Sequence, residues 1–193
     1  MLRKKYEFRP DRMESSTLSK LYLTKKQRYS LLKWFLYAVL LVLLSLIQDV
    51  IMSRVHFRDA TTELMACGIL LICIHNDADS GCRFALLGSL FYYLSGTAPG
   101  PQIILLLTVI GCLLNIFRSS YLRRGAISTL LCTAAALAVY KLIIFALAVF
   151  LGNSTTERLP VFVMSYLLCA AALLPLYPFV VSIGKIGGEA WKD

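Results

Sequence analysis

From Phe84 to Phe117 the chain runs for thirty-four residues without one Asp, Glu, Lys or Arg. Charge is thin elsewhere too: 16% of the 193 residues are charged and 58% are hydrophobic, with a mean hydropathy of +0.70. That balance excludes an ordinary soluble domain and points to one compact polytopic membrane domain. Histidine is scarce: His56 and His75 stand alone, with no cluster that would hold a metal. The six cysteines (Cys67, Cys73, Cys82, Cys112, Cys132, Cys169) form no CxxC pair, and all but Cys82 lie in apolar runs. They read as small buried hydrophobes, not as a metal site or a disulfide framework. GxSxG, HExxH, P-loop and Rossmann fingerprints are all missing. With no nucleophile, base and oxyanion donor to assemble on one side of a membrane, the expectation is a protein that is not an enzyme and needs no cofactor. A cleavable leader is missing as well. The hydrophobic run begins only near Leu31, and no small-residue cleavage site follows it, so the first helix is expected to be a retained span.

The uncharged stretch itself is too long for one crossing. As a single helix it would measure about 51 Å, against roughly 30 Å of bilayer hydrocarbon. It must fold back, and Ser95-Gly96-Thr97-Ala98-Pro99-Gly100-Pro101 supplies the turn, with two glycines and two prolines in seven residues. On either side of this hairpin, hydropathy predicts spans near 31–52, 62–74, 81–95, 101–117, 126–151 and 159–183, the last interrupted by Pro175 and Pro178. The second and third are shorter than the roughly twenty residues of a full crossing. They are either short helices that thin the bilayer locally or a re-entrant pair shielded by other helices. Pro101 is placed to open the fourth span.

Charge is also uneven along the chain. Residues 1–33 hold ten Lys/Arg against Glu7, Asp11 and Glu14, within a net charge of +9. Beside long apolar runs, such a flank orients the first helix and touches anionic headgroups; it does not indicate nucleic-acid binding. Residues 1–30 form a basic extension, either an interfacial helix or a disordered arm, and 184–193 a short tail. With the amino terminus inside, inner segments carry sixteen Lys/Arg and outer loops three (Arg54, Arg58, Arg158). Both termini are therefore expected in the cytoplasm, with the hairpin turn outside.

Lys141 is the most unusual position, with sixteen uncharged residues before it and fifteen after. An unpaired ammonium there would cost about 2.5–3.5 kcal/mol on insertion scales, so a partner is expected. Counting helical rise, Lys141 lies about 23 Å up the fifth span and Asp49 about 27 Å up the first. An Asp49–Lys141 pair follows, with Glu63 as the alternative partner. Such a pair either fixes helix register or relays an ion. Gly81, Gly88, Gly111 and Ser89 mark close helix contacts, either within the bundle or on a partner face. Gly96 and Gly100 belong to the turn. Tyr92, Tyr93 and Gln102 beside it are the available interaction or pocket residues.

The order of these features resembles the MreD family of the bacterial rod-shape machinery, over residues 31–183. The likeness rests on Glu63-Leu64 opening a short second span, then Gly88, Ser95-Gly96, Gly100 and Gly111, the basic stretch Arg118 to Arg124, and Pro175-Leu176-Tyr177. The chain departs from the family pattern at Tyr92, where an Asp is frequent, and at Lys141, where the family's fifth span carries an acid. The resemblance implies an all-α six-helix bundle similar to the substrate-binding subunits of energy-coupling-factor transporters. It implies a non-catalytic scaffold in the bacterial cytoplasmic membrane, working with an MreC-like protein, a RodA-type glycosyltransferase, a class B penicillin-binding protein and MreB filaments. The alternative is a vitamin-binding subunit of such a transporter, with a polar, aromatic-lined pocket near the turn.

Overall fold

The computed structural model describes residues 25–52, 62–121 and 125–186. Among these the chain is all-helical, with α1 Lys25–Ile47, α2 Leu64–His75, α3 Ala78–Leu94, α4 Gln102–Tyr121, α5 Ala126–Phe150 and α6 Leu159–Gly184. A π-helical turn, Gln48–Met52, extends α1, and a 3₁₀ turn, Thr156–Arg158, leads into α6. The basic extension before Lys25, the positions Arg54, His56, Arg58, Arg123 and Arg124, and the tail beyond Ile186 lie outside the described residues.

Among the described residues, three helical stretches are long and apolar enough to cross a membrane: Arg28–Val50, Ala126–Phe150 and Thr156–Gly184. Leu64–His75 and Gln102–Arg118 are apolar but shorter. Proline does not interrupt α6. The helix continues through Pro175 and Pro178, and Ser182 Oγ donates to the Pro178 carbonyl at 2.7 Å. A proline frees only the carbonyl four residues before it, and packing of the rest of the helix can hold the axis together.

The bundle is organised around α2. Every residue from Leu64 to Ile74 is buried, and α2 packs against all five other α-helices. A helix that is apolar on every side has to be surrounded. At twelve residues it is about 18 Å long, well short of a bilayer's core, and its flanks meet protein instead. Small residues let the neighbours close in. A Cβ at Gly88 of α3 would stand 3.1 Å from Ile69, and one at Gly111 of α4 would stand 3.1 Å from Ala85 and 3.3 Å from Cys73. One at Gly81 would overlap the Asn115 amide. These glycines thus serve packing inside the bundle.

The α3–α4 turn closes through Ser95 N–H donating to the Phe91 carbonyl at 2.9 Å and Gly96 N–H to the Tyr93 carbonyl at 3.2 Å. Gly96 takes φ +77°, which side-chain-bearing residues resist. Packing pairs show that neighbouring helices alternate in direction: Gln48 meets Met65 at one end, while Tyr37 and Gly184 meet at the other. Arg28, Lys33, Arg83, Arg118 and Lys185 share the Tyr37 end with Asp77 and Asp79, whereas Asp49, Glu63, Glu157 and Arg158 share the Gln48 end.

Candidate functional site

The start of α2 is the most polar place in the interior. Glu63 sits immediately before the helix, so its carboxylate lies where α2 exposes unpaired N–H groups. On α5, Tyr140 and Lys141 are both buried and both reach this carboxylate. Lys141 Nζ stands 2.5 Å from Oε1, and the Tyr140 hydroxyl donates to Oε2 at 2.8 Å. Lys141 also donates to Ser165 Oγ of α6 at 3.1 Å. The lysine side chain is 4% exposed and that of Glu63 12%, so the pair is largely shut away from solvent. Inside a protein such a pair holds only with good geometry and further hydrogen bonds, and both are present here.

The neighbouring groups complete the cluster. Gln48, buried in the π-helical turn, accepts the Met65 N–H through Oε1 at 3.1 Å. The Glu63 N–H donates to Cys169 Sγ at 3.2 Å, and Cys67 Sγ approaches the Cys169 carbonyl at 3.6 Å. Tyr92 of α3 is wholly buried and within electrostatic reach of Glu63 and Gln48, yet its hydroxyl makes no well-formed hydrogen bond among the described residues. Helices α1, α3, α5 and α6 thus converge on the first turn of α2. What this arrangement can do chemically is hold a charge pair and fix the rotation of α5 and α6 about α2.

The other end of α2 is closed by Asn115 of α4. Its Nδ2 donates to the carbonyls of Cys73 at 2.9 Å, Asn76 at 3.2 Å and Asp77 at 3.3 Å. Asn76 turns its own amide back onto the Ile72 carbonyl at 2.7 Å.

Lys141 is therefore paired, but with Glu63 and not with Asp49. The depth of Asp49 fits; its direction does not. Gln48 points inward and is buried, while Asp49, the next residue of the π-helical turn, is exposed. Tyr92, Tyr93 and Gln102 do not converge either. Tyr92 is inside the bundle, Tyr93 is 40% exposed, and the Gln102 side chain is exposed and folds over Gly100. Sequence reasoning did not single out Tyr140, Ser165 and Cys169. Tyr140 had a signal in standing next to Lys141; a lone Ser and a lone Cys in an apolar helix have none. Comparison with protein-family models, curated proteins and solved structures finds no match for this chain.

Proposed function

We propose that this protein is a non-catalytic membrane scaffold of the bacterial rod-shape machinery, coupling an MreC-like protein and MreB filaments to a RodA-type glycosyltransferase and a class B penicillin-binding protein. The identity of the partners rests on the family resemblance. The geometric observation that favours a scaffold over the transporter alternative is the divergence of Tyr92, Tyr93 and Gln102. A vitamin-binding subunit needs convergent polar groups lining one outward chamber. Here one of the three is buried and two lie on the surface. The polar groups that do converge are bound to one another around Glu63, which suits a rigid body built to hold its own shape.

The proposed setting is the bacterial cytoplasmic membrane with both termini cytoplasmic. The cations Arg28, Lys33, Arg83, Arg118 and Lys185 at one end of the bundle support that orientation. Affinity purification of the full chain from mild detergent tests the reading. Recovery of a single-span MreC-like protein and a cell-wall synthase is expected. Recovery of an ATPase pair without any cell-wall protein would overturn it in favour of the transporter subunit.

A further inference from the structure

A groove of about 320 Å³ runs between α1 and α3, outside the polar cluster. Trp34, Ala38, Leu41 and Val42 form one wall, and Phe84, Leu87, Gly88 and Phe91 the other. From Trp34 to Val42 it extends about 12 Å along α1. At one end of it Trp34 and Phe84 pack together, with ring centroids 5.6 Å apart. Along the rest of it Val42, Leu87 and Phe91 are exposed, so the groove is open along its side.

Beyond Trp34 the chemistry changes abruptly. Arg83 precedes Leu87 by four residues and Phe91 by eight, so it continues the same stripe of α3 one turn further toward the basic end. Ser30 stands in the same relation to Trp34 and Ala38 on α1. Both Ser30 and Arg83 are exposed, and Lys33 is half-buried beside Trp34. An apolar trough is thus followed, past an indole, by a guanidinium, an ammonium and a hydroxyl, with the exposed carboxylate of Asp79 one turn beyond Arg83 on the same stripe. A tryptophan at that boundary matches the headgroup level of a bilayer, where its ring is amphipathic enough to sit.

We propose that the groove is a binding site for an anionic phospholipid. One acyl chain lies along Ala38, Val42, Leu87 and Phe91, and the phosphate meets Arg83, Lys33 and Ser30. The apolar walls would hold the tail of any lipid; Arg83 and Lys33 favour an anionic headgroup, with about a fivefold preference from Arg83. The site rests on the chain being a membrane protein and is independent of its partners, so failure of co-purification and failure of lipid selection are separate outcomes.

Trp34 reports on the site directly. The chain has two tryptophans, and Trp191→Phe leaves Trp34 as the single fluorophore. The full-length variant is reconstituted in phosphatidylcholine vesicles containing a minor share of phosphatidylglycerol. Bromine is placed on the acyl chains of one lipid or the other, and the mole fraction of the brominated lipid is varied. Brominated phosphatidylglycerol is expected to quench Trp34 at several-fold lower mole fraction than brominated phosphatidylcholine. Arg83→Gln should lower that preference about fivefold and Arg83→Lys should largely keep it. Equal quenching by both lipids would overturn the proposal, leaving ordinary boundary lipid. Absence of quenching by either would also overturn it, because the groove would then be filled by protein.

Discussion

Gln48 and Asn115 stand at opposite ends of α2 and finish it from outside: Gln48 accepts the Met65 N–H, and Asn115 donates to three carbonyls at the far end. Helix termini leave unpaired N–H and C=O groups, and buried ones are costly. Neither cap belongs to the helix it serves. Asn115→Leu is expected to cost about 1–3 kcal/mol and Gln48→Leu about 1 kcal/mol, read as lost thermal stability of the detergent-solubilised protein. Equal stability of both variants with the parent would show that the ends of α2 are satisfied in another way.

Removing one side of the ion pair leaves a buried charge. Lys141→Met should therefore destabilise by about 3–5 kcal/mol, more than Asp49→Asn at the exposed position that does not meet Lys141. Exchanging the charges, Glu63→Lys with Lys141→Glu, should restore expression that either single change removes. Monodisperse yield by fluorescence-detected size exclusion checks all five variants. A Lys141→Met variant rescued by altering Asp49 and not Glu63 contradicts the pairing.

Tyr92 and Tyr140 are both buried tyrosines of the same cluster, with unequal expectations for loss of the hydroxyl. Tyr140→Phe deletes a hydrogen bond to a carboxylate and should cost about 1.5–3 kcal/mol. Tyr92→Phe deletes a buried hydroxyl that makes no well-formed hydrogen bond and should cost less than Tyr140→Phe. Thermal unfolding of the two variants side by side settles the contrast.

Gly81 and Asn115 should be energetically coupled. A Cβ at Gly81 would overlap the Asn115 amide and stand 2.8 Å from the Cys73 carbonyl oxygen. Gly81→Ala must displace the amide from its carbonyls, so a loss of about 1–3 kcal/mol is expected. Added to Asn115→Ala, the same substitution should cost less than it does alone. A double-mutant cycle with an interaction energy of at least about 0.5 kcal/mol is the expected reading, and strict additivity counts against the contact.

Much of the helix order was open to inspection in the chain. Long apolar runs and the Gly96, Pro99, Gly100, Pro101 cluster mark six helices and the α3–α4 turn, because hydropathy and backbone restriction are local properties. The need for a partner at Lys141 was legible for the same reason: a buried cation is conspicuous in an apolar run. Which carboxylate answers it was not. Rise along a helix gives depth, and depth alone could not separate inward Gln48 from outward Asp49. The central position of α2 is written in its uniformly apolar faces, yet such faces suit lipid as well as protein. Only contacts with five other helices decide between them. Ser165 and Cys169 acquire meaning solely from what stands opposite.

The separation of Glu63 from its partners along the chain bears on how the protein is made. Lys141 lies 78 residues after Glu63, and Ser165 a further 24 beyond it. A ribosome delivers the acid and the short apolar helix behind it long before the cation that neutralises them. During that interval α2 has neither the length to stay in a bilayer alone nor a counter-charge for its first turn. The charge pair at the first turn of α2 can therefore close only once α5 has been made, whereas the α3 and α4 that also pack on α2 come from chain made earlier.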